Sequence, residues 1–286
     1  DLNTGRGDLM GAGTQTAALK FGGRSPTPTT GETESYNGTS WTTLPATMNT
    51  ARSQGGGSGV QTSALAYAGE PPDNTRNLTE SWNGTNWTEV ADLSVPRNGA
   101  GGNAGVSNTS ALCFGGGGPN PAANESWNGS AWTELNDLNT GRYNLTGSGI
   151  ATICLAYGGT AGPPVYAITE SWNGTSWTEV ADMATARSIL GGAGTENTSG
   201  LAIGGEGPPA NMVNTEEFNT GVEIGAWSTG GTMNTARRAL GSAGIQTSAL
   251  AFGGVNPGPT LYNLTESYDG TNWTEVNDLN TTRRGL

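Results

Sequence analysis

An arginine and a glutamate recur at matched positions along the chain, and their charged side chains are the clearest candidates for a functional role. The arginines follow one another at intervals of 45 to 50 residues, and a glutamate follows each of the first six after 28 or 29 residues. The arginines are Arg6, Arg52, Arg97, Arg142, Arg187, Arg237 and Arg283, and the glutamates are Glu34, Glu80, Glu125, Glu170, Glu216 and Glu266. A guanidinium is a planar bidentate donor that suits a carboxylate, a sulfate or a phosphate.

This recurrence has two interpretations. In the first, the first six arginines line a cationic mouth on an acidic protein and select an anionic sugar or peptide. In the second, each arginine pairs with the repeat glutamate, as Arg97 would with Glu125, or with loop carbonyls. The one-to-one count of arginines and glutamates favours the second interpretation, and the sequence leaves both open.

Catalytic machinery is hard to assemble from these residues. The chain has no histidine, which excludes a Ser-His-Asp triad and histidine-based zinc or copper sites. A glycosidase needs only two carboxylates, but Asp73, Glu206 and Glu223, which break the repeat, form no convincing pair. We therefore expect a non-enzymatic protein with no catalytic residue, no metal and no cofactor.

A tryptophan keeps the same period and indicates which elements must carry these side chains. It recurs as Trp41, Trp87, Trp132, Trp177, Trp227 and Trp273. A period of about 40–50 residues indicates one supersecondary unit used many times. Each unit reads as four short strands, and its clearest hairpin is ESWNGTNWTEV at Glu80–Val90, because Asn-Gly favours a type I′ turn. Six such units predict an all-β, six-bladed β-propeller of four-stranded antiparallel blades.

The repeat also predicts the domain organisation, a single propeller over residues 1–286. The blades are expected at about 1–48, 49–93, 94–138, 139–183, 184–233 and 234–279, with 280–286 starting an extra copy of the motif. That motif occurs as DLNTGRGDL at Asp1–Leu9 and DLNTTRRGL at Asp278–Leu286. Either the ring closes with one copy displaced, or the chain belongs to a longer array. The absence of an initial methionine suggests a processed or excised piece.

Composition narrows the range of partners. The formal net charge is −12 and the chain has one lysine, Lys20. Nucleic-acid binders need a basic surface, and no apolar run approaches the ~20 residues that span a bilayer. We expect neither a nucleic-acid partner nor membrane insertion. Cys113 and Cys154 read as small buried hydrophobic residues, with a disulfide as the less favoured alternative.

The order of arginine, Gly-Gly, aromatic residue and tryptophan resembles the kelch repeat. The matching residues are Arg52, Ala68-Gly69, Trp82 and Trp87 in one unit, and Arg237, Gly253-Gly254, Tyr268 and Trp273 in another. The resemblance covers essentially the whole chain. It implies a propeller that binds a partner, with the arginines and the loops between strands two and three on one face. In some kelch propellers an arginine at this position lines the central pocket and grips an acidic ligand.

Two looser resemblances bear on origin and fold. The near-identical NGTSWTEV units look like kelch-type propellers of bacteriophage and environmental virus structural proteins, which implies a tail-fibre or appendage domain. The turn at Ser81–Trp87 resembles the Asp-box of sialidases, which is a turn-former away from any active site. A match there would support propeller geometry and not catalysis.

The loops that follow Gly-Gly vary while the rest of the unit repeats, and function concentrates on variable loops held by a rigid scaffold. Besides the first six repeat arginines, the candidate ligand-binding residues are Tyr166, Tyr262, Asp73 and Arg76. We expect a recognition or adhesion propeller, extracellular or on a virion surface, that binds a cell-surface glycan or protein receptor and belongs to a larger fibre or virion. The alternatives are a purely structural spacer and a sialidase-like glycosidase.

Overall fold

The computed structural model describes residue 3 and residues 5–24, 28–71, 76–208, 210–220, 225–256 and 260–276. This part of the chain forms six sheets of four antiparallel strands and one additional two-stranded sheet. The predicted six-bladed β-propeller is therefore confirmed. No helix long and apolar enough to cross a bilayer occurs among these residues.

Each blade consists of four strands that are consecutive in the sequence. Blade 1 contains β1 (Met10–Thr14), β2 (Ala17–Phe21), β3 (Thr33–Tyr36) and β4 (Trp41–Thr43); blade 2 contains β5 (Gly56–Val60), β6 (Ser63–Tyr67), β7 (Thr79–Trp82) and β8 (Trp87–Glu89); blade 3 contains β9 (Gly101–Ser107), β10 (Ser110–Phe114), β11 (Asn124–Trp127) and β12 (Trp132–Leu135). Within the described residues the first and last blades share no strand, so hydrogen bonds and packing between these two blades join them.

The second half repeats this plan with one addition in blade 5. Blade 4 contains β13 (Thr146–Ile150), β14 (Ile153–Tyr157), β15 (Thr169–Trp172) and β16 (Trp177–Val180); blade 5 contains β17 (Gly191–Glu196), β18 (Ser199–Ile203), β19 (Glu206–Gly207), β20 (Ala210–Asn211), β21 (Thr215–Asn219) and β22 (Ala226–Thr229); blade 6 contains β23 (Gly241–Ile245), β24 (Ser248–Phe252), β25 (Thr265–Tyr268) and β26 (Trp273–Glu275). The short pair β19–β20 occupies the loop between the second and third main strands of blade 5.

The six innermost strands are glycine-rich because they surround the axis. Gly57 of β5 shows the reason: a Cβ atom there would lie 2.6 Å from the carbonyl oxygen of Gly11 in blade 1. The second strand of each blade, such as β6, is uncharged in five blades and almost fully buried. Lys20 is the exception, and it is also buried.

The repeat tryptophans pack between blades. The Trp87 ring lies 4.8 Å from the Phe21 ring of blade 1, and its Nε1–H donates to Thr33 Oγ1 in that blade at 2.8 Å. Cys113 and Cys154 are buried free thiols, so the structure agrees with the interpretation as small core residues.

The antiparallel order of the strands gives the propeller two distinct faces. We call the side with the loops between the second and third strands and between blades the rim face. The opposite side, which carries the turns between the first two strands and the Asn-Gly turns, is the turn face. The second copy of the terminal motif, at residues 278–286, lies outside the described residues.

Candidate recognition surface

The repeat arginines lie under the rim face, and their side chains are completely buried. Six of them fall within the described residues, and each is 0% exposed. Each makes an ion pair with the glutamate of its own blade; the pairs are Arg6–Glu34, Arg52–Glu80, Arg97–Glu125, Arg142–Glu170, Arg187–Glu216 and Arg237–Glu266. The structure thus realises the pairing interpretation. It does not form the solvent-open cationic mouth, because none of these six guanidinium groups reaches solvent.

Blade 2 shows the hydrogen bonds that such a pair makes, although the Arg52 Nε–H has no partner. Arg52 Nη1 lies 2.9 Å from Glu80 Oε1, and Arg52 Nη2 donates to the Ala66 carbonyl at 3.1 Å. The other carboxylate oxygen of Glu80 accepts the Asn49 backbone N–H at 2.7 Å. Burial lowers the pKa of the Arg52 guanidinium, and Glu80 opposes that shift. The ion pair therefore has a structural role: it fixes the position of the segment that precedes the inner strand.

The second residue after each arginine contributes to a closed ring of backbone hydrogen bonds around the axis, which we call the amide ring. In it the N–H of each member donates to the carbonyl of the member in the preceding blade, at 2.7–3.0 Å. Its members are Asp8, Gln54, Gly99, Asn144, Ile189 and Ala239. All six have φ between 53° and 58°, which L-residues other than glycine, asparagine and aspartate rarely adopt.

A second ring of hydrogen bonds lies farther from the axis. The second glycine of each Gly-Gly position donates its N–H to the backbone carbonyl of the repeat arginine in the next blade, at 2.8–3.1 Å. The glycines are Gly23, Gly69, Gly116, Gly159, Gly205 and Gly254. Gly254 donates to Arg6, so this ring also closes between blades 6 and 1. The repeat arginine therefore holds its own blade by its side chain and the preceding blade by its backbone.

Above these rings, every blade carries one antiparallel β-bridge between the residue after the arginine and the residue after Gly-Gly. The bridges are Gly7–Arg24, Ser53–Glu70, Asn98–Gly117, Tyr143–Thr160, Ser188–Glu206 and Arg238–Val255. We call these twelve residues the variable rim. Serine with glutamate occurs in two blades, and no other combination recurs. The backbone is thus constant around the rim while the chemistry of the side chains changes from blade to blade.

The arginines that reach solvent within the described residues all lie on this face. Arg24 pairs with Asp8 at 2.5 Å, Arg76 with Glu70 at 3.0 Å, and Arg238 with Glu206. Their side chains are 51%, 30% and 31% exposed, respectively. Solvent-exposed pairs of this kind contribute little to stability, so these guanidinium groups are available to exchange partners.

The other predicted residues fall around the same rim. Tyr166 and Tyr262 are half-buried, and their backbone N–H groups donate to Gly159 and Gly254, respectively, at 2.8 Å. The backbone of both tyrosines therefore lies beside the Gly-Gly position of its own blade. Asp73 lies outside the described residues.

Sequence reasoning missed the rim residues themselves, above all Asn98, Tyr143 and Arg238. Tyr143 bridges to Thr160, which also bridges to Val165 beside Tyr166, so blade 4 brings two tyrosine-bearing segments together. The signal was present in the sequence, because the position after each arginine varies as strongly as the loops do. Only the β-bridges, which no local pattern shows, join these positions to those after Gly-Gly. Among the described residues, no cluster of acidic or cysteine side chains could hold a metal ion.

Comparison with known proteins bears on the class of fold. No family model and no curated protein matches the sequence. A solved structure titled "Structure of YjhT" resembles this chain with a TM-score of 0.75. The similarity covers 97% of this chain and 99% of that one, at 12% sequence identity. At that identity the resemblance supports the six-bladed β-propeller fold alone.

Proposed function

We propose that this propeller is a non-enzymatic recognition domain, of the kelch type, that binds a cell-surface glycan or protein through the variable rim. Its setting would be a phage tail fibre or a similar extracellular appendage. The observation that carries the proposal is the constant backbone of the six bridges combined with side chains that differ between blades. A rigid repeated scaffold that presents variable residues and loops on one face is typical of a binding surface.

The chemistry of the rim favours a polar, partly anionic ligand. Arg24, Arg76 and Arg238 offer bidentate guanidinium donors, while Tyr143, Tyr166 and Tyr262 offer rings with a hydroxyl tip, suited to the apolar face of a sugar. The buried repeat arginines would support the rim from beneath and would not touch the ligand. Each of the exposed arginines already contacts a carboxylate, so a ligand would compete with Asp8, Glu70 or Glu206.

The test exploits the constancy of the bridge. In Asn98→Ser, Tyr143→Ser, Arg238→Ser, three rim positions take the residue that Ser53 and Ser188 carry in blades 2 and 5, so the backbone bridge is retained. The matched control is Thr88→Ser, Thr178→Ser, Thr274→Ser, which changes three exposed residues of the outer strands.

Both variants and the wild type would be applied to an array of bacterial and anionic glycans and to whole cells. We expect the rim variant to lose at least tenfold in apparent affinity and the control to retain binding. Equal losses in both variants, or none in either, would contradict the assignment to the rim. A wild type that binds neither glycans nor cells would favour the structural-spacer alternative, and turnover of any glycan would favour a glycosidase.

A further inference from the structure

The turn face carries a cavity on the propeller axis, on the side opposite the variable rim. Its volume is about 270 Å³, and it lies where inner strands of blades 1, 2, 4, 5 and 6 end. These strands end at glycines with positive φ, such as Gly13 at 110° and Gly59 at 106°. A Cβ atom on Gly13 would lie 2.3 Å from the Ala17 carbonyl oxygen. Glycine is therefore required there by the turn, and the cavity is preformed by the backbone.

The wall of this cavity is largely aliphatic. Ala12, Val60, Ile150, Ala243 and Ile245 line it. Val60 and Ile245, at 37% and 40% exposure, are the two large hydrophobic residues classed as exposed among those the structure describes. Both residues lie at the mouth of this cavity and not elsewhere on the protein surface. Exposed aliphatic groups that converge on a concave site are typical of ligand pockets.

The cavity is also uncharged. None of the described residues that line it is acidic or basic, in a chain whose formal net charge is −12. A charged ligand would lose its hydration there without gaining an ionic partner, so the lining selects a neutral one.

The polar groups of the lining fall into two sets. The first is satisfied within the protein: Ser242 Oγ bonds to the Gly192 backbone, and Ser248 Oγ donates to Gln15 Oε1 at 2.6 Å. The second comprises the hydroxyls of Thr14, Thr16 and Thr195, which line the cavity and make no side-chain hydrogen bond within the described residues. A ligand with an apolar body and one neutral polar end would match both the wall and these hydroxyls.

We propose that the axial cavity of the turn face binds an uncharged, mainly apolar ligand about the size of an indole ring, with its polar end at Thr14 and Thr195. This site is independent of the variable rim, since the two lie on opposite faces. The volume is ample for a single bicyclic ring, and the aliphatic groups at the mouth would cover its edges.

The probe is 5-fluoroindole, and its binding to the intact chain is measured by ¹⁹F NMR titration. The variant Val60→Thr, Ile245→Thr keeps β-branched side chains of similar size but makes the mouth polar, and both residues are exposed, so folding is retained. We expect binding about tenfold weaker in this variant. Val255→Thr, the same chemical change on the rim face, should bind as the wild type does. The anionic 5-fluoroindole-3-acetate should bind the wild type at least tenfold more weakly than 5-fluoroindole.

Three results would overturn the proposal: no binding of 5-fluoroindole by the wild type up to its solubility limit, undiminished binding by Val60→Thr, Ile245→Thr, or equal affinity for the anionic analogue. A thermal melt of each variant, compared with that of the wild type, checks that a loss of binding reflects the site and not the fold. The glycan-binding test of the rim is unaffected by any of these outcomes.

Discussion

The backbone N–H of Asp8 donates to the carbonyl of Ala239 at 3.0 Å and so joins the first blade to the sixth. Many repeat assemblies close by sharing a strand, but here each blade is built from consecutive strands. Closure uses the contacts that join the other neighbouring blades, among them the amide ring and the bond from Gly254 to Arg6. The Trp41 Nε1–H also donates to Thr265 Oγ1 across this junction at 3.1 Å. The first copy of the terminal motif is thus an ordinary repeat unit, used in its usual place.

The amide ring places a β-branched residue in an unfavourable conformation. Ile189 has φ 53°, a region that costs about 1–2 kcal/mol for an L-residue and more easily accepts asparagine. Asn144 occupies the equivalent position and makes the same bond at 2.7 Å. We therefore expect Ile189→Asn to stabilise the protein by about 1 kcal/mol in urea denaturation. The reciprocal change Asn144→Ile should destabilise it by a similar amount, and equal stability of both variants would refute the argument from strain.

The sequence predicts the fold almost completely because every unit repeats the same hydrophobic pattern and four of the six repeat the Asn-Gly turn. The sequence also raises the question whether the repeat arginines bind a ligand or pair within the protein. The equal numbers of repeat arginines and glutamates, such as Arg97 and Glu125, favour pairing. Burial decides that question, and burial depends on contacts between segments 28 or 29 residues apart. The variable rim could not be predicted in full because no sequence pattern shows that its two positions, 17 to 19 residues apart, pair in a β-bridge.

The junction between blades 3 and 4 lacks a bond that the other junctions have. At this position Trp87 donates to Thr33. The residue equivalent to Thr33 in blade 3 is Asn124, and neither the Trp177 Nε1–H nor the Asn124 Oδ1 has a hydrogen-bond partner. Both residues are buried, and unsatisfied buried polar atoms cost about 1–3 kcal/mol. We expect Asn124→Thr to raise the free energy of unfolding by about 1 kcal/mol, measured by urea denaturation.

This change also removes the bond from Asn124 to the Asn136 carbonyl, which limits the gain. Thr79→Asn, the opposite substitution at the junction of blades 2 and 3, provides the control, because Trp132 donates to Thr79 there at 2.9 Å. It should destabilise the protein. If Asn124→Thr were destabilising as well, the role assigned to the Trp–Thr bond would be wrong.

Breaking one buried ion pair should cost far more than breaking an exposed one. Arg97→Met leaves Glu125 buried beside an apolar side chain, and the loss of one partner from such a pair costs about 3–5 kcal/mol. Arg97→Met, Glu125→Met should recover part of that loss, since no uncompensated charge remains. Arg76→Met removes an exposed pair with Glu70 and should change stability by less than about 1 kcal/mol. Urea midpoints of the three variants measure the difference, and comparable losses for Arg97→Met and Arg76→Met would contradict the structural role of the buried pairs.

Lys20 makes stability depend on pH in blade 1. Its ammonium lies 2.6 Å from Glu34 Oε1, and the Lys20 side chain is 0% exposed. Burial and the neighbouring Arg6 lower its pKa from 10.5 to about 7, although Glu34 opposes this shift. Burial also opposes ionisation of Glu34, but Lys20 and Arg6 outweigh it and hold the pKa of that carboxyl below its ordinary value.

Since the folded-state pKa of Lys20 lies below the unfolded value, the unfolded chain binds more protons between about pH 7 and pH 10.5. Stability should therefore rise with pH across this window, by on the order of 1 kcal/mol per pH unit from this group. Lys20→Met keeps the volume of the side chain and removes the titration. Urea denaturation at pH 7, 8 and 9 should show a smaller rise in the variant than in the wild type, because every other titrating group is shared. Parallel curves for the two proteins would show that Lys20 titrates alike in the folded and unfolded states.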